Sequence, residues 1–130
     1  MNQSISYRWV FIVGAAFAML SVVFGAFSAH ALKSVLDEGG LKLIDTAARY
    51  QMYHALALLF CGVLLQLRLC AESWIKVAAY LFTAGIFLFS GALYLIALSN
   101  IKWFGAIAPI GGTAFISGWL VVIIAIAKSK

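Results

Sequence analysis

The chain has 130 residues, 65% of them hydrophobic and 10% charged, with nine Lys and Arg against four Asp and Glu for a net charge of +5. A soluble domain averages about 45–50% apolar and about 25% charged residues, and a chain this short cannot bury so much apolar surface in one core. These figures exclude a water-soluble globule and make lipid the solvent for most of the surface. The charge does not point to nucleic acid either: Arg8, Lys33, Lys42, Arg49, Arg68, Lys76, Lys102, Lys128 and Lys130 stand singly at the ends of apolar runs, where they anchor helix ends.

Crossing about 30 Å of hydrocarbon takes about 20 mostly apolar residues. Four segments meet that length, at about 9–29, 47–67, 75–98 and 104–127. The first carries no charge and is longer than the core of a secretory signal, so the A-x-A pattern at Ala29–Ala31 is not read as a cleavage site. It also carries a stripe of small residues, Gly14, Ala18, Ser21, Gly25 and Ser28, in steps of three and four that keep them on one face. Hydrophobicity cannot drive helix association in lipid, so close backbone approach along such a stripe has to. Gly111, Ala114 and Gly118 repeat the pattern more briefly in the fourth span.

Between the first two spans, Ala31, Leu32, Val35 and Leu36 recur at helical spacing among Lys33, Ser34, Asp37 and Glu38. This predicts a short amphipathic helix at the interface, a turn at Gly39-Gly40, and a second helix that starts before the bilayer does. The later links, "RLCAESW" and "SNIKW", are short enough to force antiparallel neighbours. The fold expected is therefore an all-α membrane protein: four transmembrane helices in an up-down bundle, forming one domain over residues 1–130. Cys61 and Cys70 lie nine residues apart along one helix and its exit, too far for a disulfide.

Both termini share a side. That side carries Arg8, Arg68, Lys76, Lys128 and Lys130, against Lys33, Lys42, Arg49 and Lys102 on the other, a small bias that puts the termini in the cytoplasm. Polar residues then gather at one depth. His30, Gln51, His54, Ser90, Tyr94, Asn100, Pro109 and the Gly111-Gly112 pair all fall in the outer half, drawn from all four spans. Polar groups in a bilayer are costly unless they face the bundle and find partners. One reading is a hydrogen-bonded collar in which His54 meets a Ser90 or Tyr94 hydroxyl, or backbone freed by Pro109, and Gly111-Gly112 admit a close neighbour. The other is a small site open to the outer face, with His30 and His54 as ligands or proton acceptors. Trp119, deeper in span four, is expected to pack against the bundle with its indole N–H needing a partner.

The acidic residues Asp37, Glu38, Asp45 and Glu72 all lie in connections, so the embedded carboxylate of an ion-coupled carrier is missing. No catalytic set, cofactor motif or metal-ligand spacing can be assembled. The blocks "GAFSAHAL" (25–32), "YQMYHALALL" (50–59), "LFSGALYLIAL" (88–98) and "APIGGTAFISGW" (108–119) resemble the domain-of-unknown-function family 423. These are small bacterial inner-membrane proteins of the UPF0382 type, to which the animal transmembrane protein 256 is similar. Ser28 replaces the glycine usual in the family's first block, small for small. The resemblance implies four spans in the plasma membrane and brings no activity, substrate or cofactor. Two functions follow as expectations. The first is a non-enzymatic protein acting through helix contacts, as a homo-oligomer or an accessory subunit of a membrane complex. The second is a small-solute or ion carrier, dimeric because four spans are few, using Gln51, His54 and Tyr94.

Overall fold

A computed structural model describes residues 7–130. Four helices are long and apolar enough to span a membrane: α1 (Arg8–Ala29), α2 (Glu38–Leu67), α3 (Glu72–Ser99) and, within Lys102–Ala127, a 3-10 turn Lys102–Ala106 followed by α4 (Ala108–Ala127). The described residues contain no strand. Ile116 is 73% exposed, Ile12 65% and Phe87 65%. Apolar side chains bared to that degree on three helices belong in hydrocarbon, where backbone polarity is satisfied only by helices of this kind.

The α1–α2 connection departs from expectation. In place of an amphipathic helix there is a single 3-10 turn, Leu32–Ser34, and Gly39-Gly40 make no turn but sit in the first turn of α2. The reason is a cap. Asp37 adopts an extended conformation and its carboxylate accepts from the Gly40 amide at 2.7 Å, while Glu38 adds negative charge where the helix dipole favours it. That start outweighs the poor helix propensity of two glycines. At the far end of α2 the chain leaves through Arg68, in the left-handed conformation at φ 52°.

Helix α3 is not a plain α-helix. A π turn over Ile86–Ser90 separates Glu72–Gly85 from Gly91–Ser99, and Asn100 ends the helix at φ 56°, a conformation that asparagine tolerates. Pro109 falls in the first turn of α4, where its missing N–H breaks no helical bond. It is exposed and frees no backbone for His54.

Two apolar clusters make up the interior. The one nearer the termini gathers Val10, Leu58, Cys61, Ile75 and Phe82; the distal one gathers Ile44, Ala47, Ala92, Leu93 and Ala108. The small stripe of α1 is the seam against α2 for part of its length. A Cβ on Gly14 would lie 3.1 Å from the Ala55 carbonyl oxygen, and Ser21 is buried. Gly62 of α2 answers by receiving the Phe11 ring, 2.8 Å from where its Cβ would be. The seam of α3 and α4 is reciprocal: Phe115 fills the space above Gly85, and Phe82 the space above Gly118. Gly111 makes the closest approach of all, seated on the Leu88–Phe89 backbone inside the π turn.

Candidate functional site

The sequence places Gln51 and His54 on one face of α2, and the fold brings α1, α3 and α4 to that face. Gln51 is 3% exposed and fully used: its amide donates to the Phe17 carbonyl of α1 at 2.8 Å, and its oxygen accepts from the Tyr94 hydroxyl of α3 at 2.8 Å. Nearer the distal end, Ser90 donates to the Ala47 carbonyl at 2.8 Å and Ser21 to the Ala48 carbonyl at 3.0 Å. Three helices are thus cross-linked through one side chain, with two hydroxyls alongside.

His54 does the same for α4. Its Nε2 lies 3.1 Å from the Trp119 indole nitrogen, and its Nδ1 lies 2.7 Å from the Tyr50 carbonyl oxygen. An indole N–H only donates, so Nε2 must be the acceptor; the ring proton then sits on Nδ1 and is given to the carbonyl. Both ring nitrogens are occupied with the imidazole neutral. The ring stacks on Phe115 with centroids 3.5 Å apart, and Phe82 leans on it at 5.5 Å. Among the described residues no buried side-chain nitrogen or oxygen lacks a partner.

The predicted residues therefore divide. Gln51, His54, Ser90 and Tyr94 converge, with Gly111 seating α4 against the π turn behind them. The partner expected for His54 is corrected: it is Trp119, not Ser90 or Tyr94, whose hydroxyls go to Ala47 and Gln51. His30 stands apart. It caps α1 and lies exposed beside a shallow apolar groove of about 370 Å³ with Val23, Ala26, Phe27 and Ala31. Pro109 is also exposed, and Gly112 has only the Phe89 ring in reach, 3.9 Å from a Cβ built on it. Among the described residues no three His, Cys, Asp or Glu side chains gather to hold a metal.

What this arrangement does chemically is hold four helices in one register. A ligand at His54 must break the bond to Trp119 and part a stacked ring pair to enter.

The family model for proteins of unknown function DUF423 matches residues 24–112, a stretch containing all the candidate polar residues. A UPF0382 membrane protein of Staphylococcus aureus (strain bovine RF122 / ET3-1) is 45% identical over 117 residues, covering 90% of this chain and 93% of its own. The chain belongs to this family. A UPF0382 membrane protein of Staphylococcus haemolyticus is 43% identical over the same 90% and 93%, and one of Bacillus subtilis (strain 168) is 42% identical over 90% and 94%. DUF423 membership and the four apolar helices together make this an integral membrane protein. No solved structure matches the chain.

Proposed function

We propose that this DUF423 protein is a non-enzymatic component of the bacterial inner membrane, both termini cytoplasmic, that works through helix contacts as a homo-oligomer or an accessory subunit. The observation that carries the reading is the closed collar: each of Gln51, His54, Ser90 and Tyr94 hydrogen-bonds to the protein itself. A carrier using the same residues needs them to line a wet cavity, and the 3.5 Å stack of His54 on Phe115 is a tight contact instead. Contact beyond the single chain is supported by the stripe of α1, which runs on past the α2 seam to Gly25, where an added Cβ meets nothing within 4 Å.

The test is the mass of the protein–detergent particle under mild extraction, with cross-linking in native membranes. More than one copy per particle, or a stoichiometric partner, is expected, and Gly25→Leu should reduce it. A strict monomer with no co-purifying chain defeats the proposal. Orientation is tested with Ser129→Cys and an impermeant thiol reagent, which should label inverted vesicles and spare spheroplasts.

A further inference from the structure

The end of the bundle away from the termini holds a cleft that the collar does not use. It lies between the start of α2 and the end of α3, with a volume of about 870 Å³. Its polar lining has Asp37 on the α2 side and Asn100 and Lys102 on the other. The fold leaves these groups free. One Asp37 carboxylate oxygen caps Gly40, and the other accepts from no described residue. Among the described residues Lys102 has no ion pair and the Asn100 carboxamide no hydrogen bond.

The walls are apolar. Leu43 stands one helical turn inside Gly39 and Ile96 one turn inside Asn100, both half-buried against the distal core cluster. Also lining the cleft, Val35 is 74% exposed and Leu98 58%. Trp103, 63% exposed and stacked on Phe104, marks the headgroup layer at this same end. The cleft thus opens onto lipid.

Gly39 is the second, independent observation. A helix keeps a glycine where φ is positive or where a neighbour presses close, and Gly39 has neither reason. No described glycine has positive φ, and a Cβ on Gly39 would meet only the Asp37 carboxylate, at an ordinary 3.5 Å. What glycine does here is leave the cleft open, because Gly39 and Gly40 line it with no side chain to fill it.

We propose that this cleft holds the headgroup of a zwitterionic phospholipid with a primary ammonium, of the phosphatidylethanolamine kind. Lys102 and Asn100 take the phosphate, the free Asp37 oxygen accepts from the ammonium, and an acyl chain runs against Leu43 and Ile96. One carboxylate and one ammonium in the lining match a headgroup of zero net charge. An anionic headgroup leaves Asp37 without a cation, and a quaternary ammonium offers it no N–H. The bared Val35 and Leu98 commit the site to a lipid rather than a free solute.

The test is the melting temperature of the full chain in mild detergent with phosphatidylethanolamine, phosphatidylcholine, phosphatidylglycerol or soluble glycerophosphoethanolamine added. A ligand that binds the folded state raises it. Phosphatidylethanolamine should raise it by about 5 °C, the shift for a ligand at about ten times its Kd. The other two lipids should give less than half of that and the soluble headgroup nothing. Gly39→Leu fills the cleft and should abolish the shift while melting no lower than wild type without lipid, since leucine is the better helix former. Lys102→Gln should abolish it too. Asp37→Asn keeps the cap, because asparagine caps as well as aspartate, but should erase the preference for phosphatidylethanolamine over phosphatidylcholine. Lys33→Gln, at the same end but outside the cleft, should keep the full shift. No shift in wild type overturns the proposal, as does an undiminished one in Gly39→Leu or Lys102→Gln, or a preference that survives Asp37→Asn. So does an equal response to all three lipids, which marks general solvation, or to the soluble headgroup, which marks a plain zwitterion site.

Discussion

Replacing Gly111 by alanine tests the packing of α4 on α3 most directly. A Cβ built there lies 2.6 Å from the Leu88 carbonyl carbon and 2.8 Å from the Phe89 Cα, and closer still to the Phe89 amide nitrogen. Carbon atoms in contact sit about 3.5–4.0 Å apart, so the helices must part by about 1 Å. Every atom struck is backbone, so no rotamer change relieves the overlap. Parting the helices also lifts Phe115 from Gly85 and Phe82 from Gly118. Overpacking costs about 1–3 kcal/mol, and this case belongs at the upper end, offset in part by the gain of about 0.5–1 kcal/mol from removing a helical glycine. The net expectation is a loss of about 2 kcal/mol, or about 8 °C in melting temperature for a chain of this size, read by intrinsic fluorescence in detergent. Gly112→Ala is the internal control. Its Cβ meets only the Phe89 ring at an ordinary 3.9 Å, so it should melt within about 2 °C of wild type. If Gly111→Ala is as stable as Gly112→Ala, α4 does not seat on the π turn as described.

The collar gives further expectations. His54→Ala strands the Trp119 indole N–H and should cost about 1–3 kcal/mol, while His54→Gln, which keeps an acceptor, should recover most of it; equal stability of all three proteins would show that the histidine is not held for the fold. Gln51→Leu removes the partners of both Phe17 and Tyr94 and should destabilise by about 1–3 kcal/mol, whereas Tyr94→Phe should lose about 1 kcal/mol. The two changes should be less than additive in a double-mutant cycle, and full additivity would contradict the 2.8 Å bond between them. At the other end, the hydrogen bond to Glu72 raises the Tyr7 phenol above its ordinary 10.0. A raised value means that the bond contributes fully below the ordinary phenol range and is lost as pH climbs through the raised one. Tyrosinate absorbance near about pH 10 should therefore be greater in Glu72→Gln than in wild type, and an identical titration would refute the contact.

Hydropathy alone was enough to find the spans, because lipid demands long uninterrupted apolar helices whatever their neighbours. Depth was enough to bring Gln51, His54, Ser90 and Tyr94 together. Their partners were harder to read because most are main-chain carbonyls, at Phe17, Ala47, Ala48 and Tyr50, and a carbonyl leaves no mark in a sequence. The Trp119 indole needs an acceptor, yet it lies deeper than the collar residues, so nothing in the sequence marks His54 as that acceptor. Gly39-Gly40 reads as a break on propensity alone, whereas Asp37 followed by Glu38 is the signal of a helix start. The π turn had no signal, since an unbroken apolar run looks the same with or without an extra residue.

That turn has a consequence for how the chain tolerates change. Among the buried positions of α3, 82, 86, 90 and 94 follow one another in three steps of four, where an α-helix needs about 3.6. One residue has been absorbed, and everything beyond it is rotated by about 100° relative to an unbroken helix. The two halves of α3 thus keep separate phase, the first set by Phe82 and Gly85 on α4, the second by Ser90 and Tyr94 on α2. Deleting one residue between Ile86 and Ser90 would remove the bulge and leave Tyr94 facing α2 as before, whereas straightening the helix at full length would swing the distal hydroxyls out into the lipid.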